Sequence, residues 1–144
     1  MKEPLRFELW ELFLVAAGAV PGALLRWQVD VRLGPYLGGT AGADLLVNLV
    51  GSFLLGTLVG PVSVPSAVLL LVGIGFCGSL TTFSSWMLDV VRLHQDGQGG
   101  LGLLLVVGSL ALGLLAAAGG QRLAPRLVAA GAWLRRPGRP RSLR

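Results

Sequence analysis

Asp44, Asn48 and Ser52 recur every fourth residue within an apolar run, placing a carboxylate, a carboxamide and a hydroxyl on one stripe of a helix. An amide deep in a bilayer must find hydrogen-bond partners or face a wet cavity, and it can donate two bonds and accept two. On the residues alone, bonding between helices and a place beside a pore account for Asn48 equally well. A second stretch, GFCGSLTTFSSW from Gly75 to Trp86, collects Gly75, Gly78 and the hydroxyls of Ser79, Thr81, Thr82, Ser84 and Ser85. Glycines and clustered hydroxyls weaken a helix, and lipid offers no water to free backbone groups. A break there is tolerable only inside protein or along a cavity. Its carbonyls can then hold a cation, while the amides opening the next half-helix favour an anion. Phe83 and Trp86 lie on about the same helical side, and the positive edge of an aromatic ring offers a weak contact to an anion.

The elements that must position these groups are membrane helices. Of the 144 residues, 53% are hydrophobic and 13% charged, where an ordinary soluble domain carries about a quarter charged. A spanning helix needs about 20 mostly apolar residues. Four such stretches fit, at Leu9 to Val31, Thr40 to Val62, Pro65 to Val91 and Leu101 to Arg122. The fold class read from this pattern is an all-α membrane protein with a broken third helix and no separate soluble domain. Residues 1–124 form the transmembrane domain, and residues 125–144 a basic tail rich in proline and arginine that forms no packed element. Glu8 and Glu11 interrupt what would otherwise resemble a secretory signal, so the first segment reads as a retained helix. Gly56 and Gly60 on the second span permit close approach of a neighbouring helix.

The charge of +5 is unevenly placed. Four spans put both termini and the second loop on one side, with Lys2, Arg6, Arg122, Arg126, Arg135, Arg136, Arg139, Arg141 and Arg144. The other side has Arg32 and Arg92, and Arg26 lies within a span. Basic residues near span ends are retained in the cytoplasm, which predicts cytoplasmic N and C termini and one fixed orientation. Arg26 with Trp27 serves equally well as a helix-end anchor or as positive potential at the vestibule of an anion path. The basic residues lack interleaved aromatics or a nucleic-acid motif, so no nucleic acid is expected. Contact of the basic tail with membrane lipid is unspecific. The single cysteine, Cys77, excludes an internal disulfide. No phosphate loop, paired nucleophile and base, or metal-ligand pair on one helix face is present, so an enzyme is not expected. His94, in the third loop, reads as solvated.

Three segments together resemble the Fluc/CrcB fluoride channels: GALLRW at Gly22 to Trp27, LLVNLVGSFLLG at Leu45 to Gly56, and GFCGSLTTFSSW. The third is the specific one, and the resemblance extends over Gly18 to Gly119. It implies a bacterial channel that lets fluoride leave the cytoplasm passively and so reduces its toxicity, built as an antiparallel dual-topology dimer with two pores. It also implies a structural sodium ion at the dimer centre, required for function, not transported, and held by the backbone carbonyls of Gly78 and Thr81. Pore positions carry over to Asn48, Phe83, Ser109 and Trp86, with Thr82 and Ser84 as weaker candidates. The implied location is the bacterial plasma membrane, as a multi-pass protein.

Some residues depart from the family's usual pattern. Trp86 stands where a second phenylalanine is usual, Ser79 where glycine is common, Asp44 where threonine is common and Trp27 where tyrosine is common. An indole is larger than a phenyl ring and can donate a hydrogen bond, a change able to alter or close one of the two pores. The charge bias favours an antiparallel partner that is a related subunit of opposite orientation, with a homodimer as the alternative. Two other functions remain to be weighed: a small multidrug antiporter, for which Asp44 is the one embedded carboxylate, and a nonconducting scaffold.

Overall fold

A computed structural model describes residues 3–60 and 63–134 of the chain. Its helices are α1 (Glu3–Leu33), α2 (Thr40–Val59), α3 (residues 66–80), α4 (Ser84–Gln95) and α5 (Gly99–Leu134). A single 3-10 turn, Gly34–Tyr36, follows α1. The stretches Phe7–Tyr36, Thr40–Val59, Ser66–Gln95 and Gly99–Ala129 are each long and apolar enough to cross a bilayer. The four-span, all-helical class read from the sequence is therefore the observed one, with α3 and α4 together making the third span.

Both outer helices exceed the lengths expected for them. At 31 and 36 residues, α1 and α5 would measure about 46 and 54 Å at 1.5 Å per residue, against a hydrocarbon core about 30 Å thick. Each must project beyond lipid. Pro21 lies inside α1 and Pro125 inside α5 without ending either helix. A proline removes its own backbone donor, but the surrounding good helix formers keep the remaining ladder. The segment after Pro125 is thus helical to Leu134, beyond the Arg122 end expected for the fourth span. Side chains from Pro125 to Ala129 are all exposed, so this extension is not packed against the core. Residues 135–144, with the last four arginines, lie outside the described residues.

Packing follows two pairings: α1 runs along α3, and α2 runs along α5. Backbone contact requires glycine at each seam. A Cβ on Gly22 would strike the Phe76 carbonyl and the Ser79 hydroxyl, and one on Gly56 would strike the Ala117 carbonyl. The Ser79 oxygen lies 2.8 Å from both the Ala19 and Gly75 carbonyls, so one hydroxyl can bond to either side of the α1–α3 seam. Ser79, which departs from the common glycine, here strengthens helix packing.

Within α3, residues Leu69–Cys77 wind as a π-helix, and Gly78–Leu80 return to α-helical geometry. The wider turn was not apparent from composition. It also moves the interruption: helical structure continues through Gly75 and Gly78, and the chain breaks only at residues 81–83. Thr81 is extended, with φ −73° and ψ 154°, and α4 starts at Ser84. The expected broken third span is observed, but its hydroxyl residues rather than its glycines make the break.

Candidate functional site

The break exposes backbone groups that neither half-helix can pair. Asn48, on the facing side of α2, answers both groups of one residue. Its Nδ2 donates to the Thr82 carbonyl at 2.9 Å, and its Oδ1 accepts from the Thr82 N–H at 2.8 Å. The carboxamide thus imitates a backbone partner across two helices. The neighbouring Thr82 hydroxyl lies 3.4 Å from the Ser85 N–H, which helps to start α4. The Thr81 hydroxyl donates to the Cys77 carbonyl at 2.9 Å and closes the last turn of α3.

Four helix-borne features converge beside this clamp on a groove of about 420 Å³. Asn48 and Ser52 contribute from α2, Thr81, Thr82 and Phe83 from the break, Trp86 from α4, and Ser109 and Gly113 from α5. The groove therefore gathers Asn48, Phe83, Trp86 and Ser109, the four residues expected beside a pore. Ser109 does not merely satisfy its own helix: its Oγ accepts the Trp86 indole N–H at 3.2 Å. Phe83 and Trp86 are neighbours, their ring centroids 5.7 Å apart and their planes inclined by 57°. Their environments differ sharply, since Phe83 is 68% exposed and Trp86 only 5%.

The lining offers amide, hydroxyl and aromatic groups among aliphatic side chains, and no charged side chain among the described residues. That combination can replace part of an anion's water shell without trapping it on a full positive charge. Arg26 is half-buried on α1 and does not line the groove. Ser84 is exposed on α4 and is likewise not part of the lining.

Gly78 lies outside the groove lining, whereas Thr81 is part of it. Gly78 is exposed, with no atom within 4 Å of where a Cβ would stand. Among the described residues, no backbone N–H outside a helix donates to the carbonyl of either residue. Such free carbonyl oxygens suit a hard monovalent cation.

Asp44 continues the α2 stripe beyond the groove. It is 4% exposed, and its Oδ2 has no hydrogen-bond partner among the described residues. A cluster that the sequence reading missed lies near this end. Thr40, at the start of α2, donates to Asp89 with its Oγ1 2.9 Å from each carboxylate oxygen, and Arg92 approaches Oδ1 at 3.3 Å. Asp89 is 7% exposed, and these contacts join α2 to α4. Its available signal was an acidic residue three before Arg92, within an otherwise apolar span.

Comparison with known proteins gives one family and a set of close relatives. Residues 13–121 match the family described as "CrcB-like protein, Camphor Resistance (CrcB)". The chain is 52% identical over 126 residues to "Fluoride-specific ion channel FluC 2" of Synechococcus sp. (strain CC9605), covering 88% of this chain and 89% of that one. Prochlorococcus marinus (strain MIT 9313) has two relatives. Its "Fluoride-specific ion channel FluC 2" is 47% identical, with 79% of this chain and 83% of that one covered. Its "Fluoride-specific ion channel FluC 1" is 40% identical, with 80% and 92% covered.

Removing the Asn48 carboxamide leaves a part-buried N–H and carbonyl of Thr82 without their partners. Asn48→Ala is expected to destabilise the folded protein by about 1–3 kcal/mol, the range for abandoning such groups. Thermal unfolding in detergent measures this as a lowered midpoint. An unchanged midpoint would mean that Asn48 does not support the break.

Proposed function

The chain belongs to the CrcB-like family, and from that membership we propose that it is a passive, fluoride-specific channel exporting fluoride across a bacterial plasma membrane. The observation that carries this reading is the groove, in which Asn48, Ser109 and the Phe83 ring converge without a charged neighbour. Fluoride is small and strongly hydrated, so entry requires donors that replace water. Asn48 keeps a second amide hydrogen after bonding to Thr82, and Ser109 keeps its hydroxyl hydrogen after accepting from Trp86. The exposed Phe83 ring can add its positive edge. Each contact is weak enough to release the ion, which conduction demands. Asp44 lies outside the groove lining, so the antiporter alternative lacks an exchange carboxylate at this site. The relatives are named as ion channels, a non-enzymatic function.

The free carbonyls at the break support a structural sodium ion at a dimer centre, with Gly78 and Thr81 as its holders. Bound there, sodium would supply a fixed positive charge between two broken helices. The partner subunit is antiparallel in this reading. A strong positive bias fixes this chain with cytoplasmic termini, and favours a related subunit of opposite orientation over a second copy. One Prochlorococcus strain does hold two relatives of this chain, FluC 1 and FluC 2.

Fluoride efflux from liposomes, read with a fluoride electrode, tests the function. The chain, alone or with an opposite-bias relative, is expected to pass fluoride at a rate unaffected by an imposed proton gradient. Phe83→Ala should lower the rate at least about tenfold, the loss of roughly 1.4 kcal/mol of ion stabilisation. Proton-coupled efflux of an organic cation instead would overturn the channel reading. For sodium, replacement of the ion by choline during purification should reduce fluoride efflux. An undiminished rate after that replacement would remove sodium from the account.

A further inference from the structure

Trp86 stands between two polar regions that share the α2 stripe. On one side, the groove takes in Asn48 and Ser52 and runs along α5 from Ser109 towards Ala117. On the other, one turn earlier in α2, lies the buried Asp44, near the end where Thr40 bonds Asp89. No residue of α5 before Ser109 and no residue of α2 before Asn48 lines the groove. Its end coincides with the indole, which reaches from α4 to the α5 hydroxyl.

We infer that Trp86 is a gate: its indole, latched to Ser109 by the N–H, closes the groove at the end facing Asp44, and an ion passes only when that latch opens. The inference rests on the proposed fluoride conduction and concerns the regulation of the same site. Three observations support a closed bar. The side chain is 5% exposed, so it is packed rather than waving in the groove. The indole N–H already has its acceptor at 3.2 Å, which fixes the ring across the gap between helices. The Phe83 ring is its aromatic neighbour, with centroids 5.7 Å apart. A phenyl ring at this position could not make the bond, because it has no donor. The latch is consequently a property of this residue choice and not of the fold.

Opening requires an indole rotamer change that breaks one neutral hydrogen bond and part of the ring packing. The bond alone is expected to hold the closed form by about fivefold over the open one. Asn48 and Ser52 then become continuous with the Asp44 end of the same stripe.

The test compares fluoride efflux from liposomes for the full chain, Trp86→Phe and Ser109→Ala, each prepared alone and together with an opposite-bias relative. Trp86→Phe deletes donor and bulk, and Ser109→Ala deletes the acceptor while keeping the indole. A rise of about fivefold or more in either variant supports the gate. Rates less than about fivefold above the unaltered chain's in both variants, while that chain conducts, overturn the gate and leave the channel function standing. Fluoride movement in none of the preparations overturns the channel function, and the gate falls with it. Elution as a single dimer-sized species shows that a variant has folded, and the two substitutions lie on different helices.

Discussion

The pairing of one side-chain amide with one backbone residue makes the interrupted third span possible. Lipid leaves no alternative partner for a helix that stops in its middle, and an open N–H or carbonyl there costs about as much as a core mutation. Asn48 supplies both a donor and an acceptor to Thr82 from one planar carboxamide. Once Thr82 is held, the chain can extend at Thr81, restart at Ser84, and present Phe83 and Trp86 to the groove from opposite sides of the restart. The same choice leaves the Gly78 and Thr81 carbonyls without a backbone donor from outside a helix among the described residues. One contact therefore sets the conditions for the pore lining and for the proposed cation seat.

Asn48 thus both supports the break and lines the groove, so its structural role is compatible with the proposed pore role, although its sequence reading left these roles as alternatives. The amide has enough hydrogen-bonding capacity for both. A similar economy appears at Ser109, whose oxygen receives the indole while its hydrogen remains available to the groove. Substitutions at either position consequently change local architecture along with ion contacts. Efflux alone cannot separate these effects without a measure of folding.

Much of the fold was legible because membrane helices advertise themselves by length and apolar content. Four spans, the polar stripe on α2 and the interruption of the third span could all be read from residue types. The bounds were less visible: the fourth span was read to end at Arg122, yet surrounding helix formers carry α5 through Pro125 to Leu134. The position of the break was also shifted, since Gly75 and Gly78 belong to helical structure and only residues 81–83 leave it. Glycine permits close contact as readily as it permits a turn, and here Gly75 packs against the Val15 carbonyl of α1. The π-helical winding of Leu69–Cys77 had no compositional mark at all. Within the site, Asn48, Phe83, Trp86 and Ser109 were identifiable as types, but the Trp86–Ser109 bond depends on helix packing that joins residues 23 apart. Asp89 and Thr40, separated by 49 positions, escaped notice for the same reason.

The account depends most directly on the Thr82 amide being bonded within the membrane. Hydrogen–deuterium exchange of that single amide, followed by solid-state NMR on the protein in lipid bilayers, reads this bond. The predicted result is slow exchange, as for amides in the adjoining turns of α3 and α4, despite Thr82 belonging to no helix. Exchange as fast as in the Asp96–Gly97 turn would contradict the account, because the break would then be open to water and not closed by Asn48.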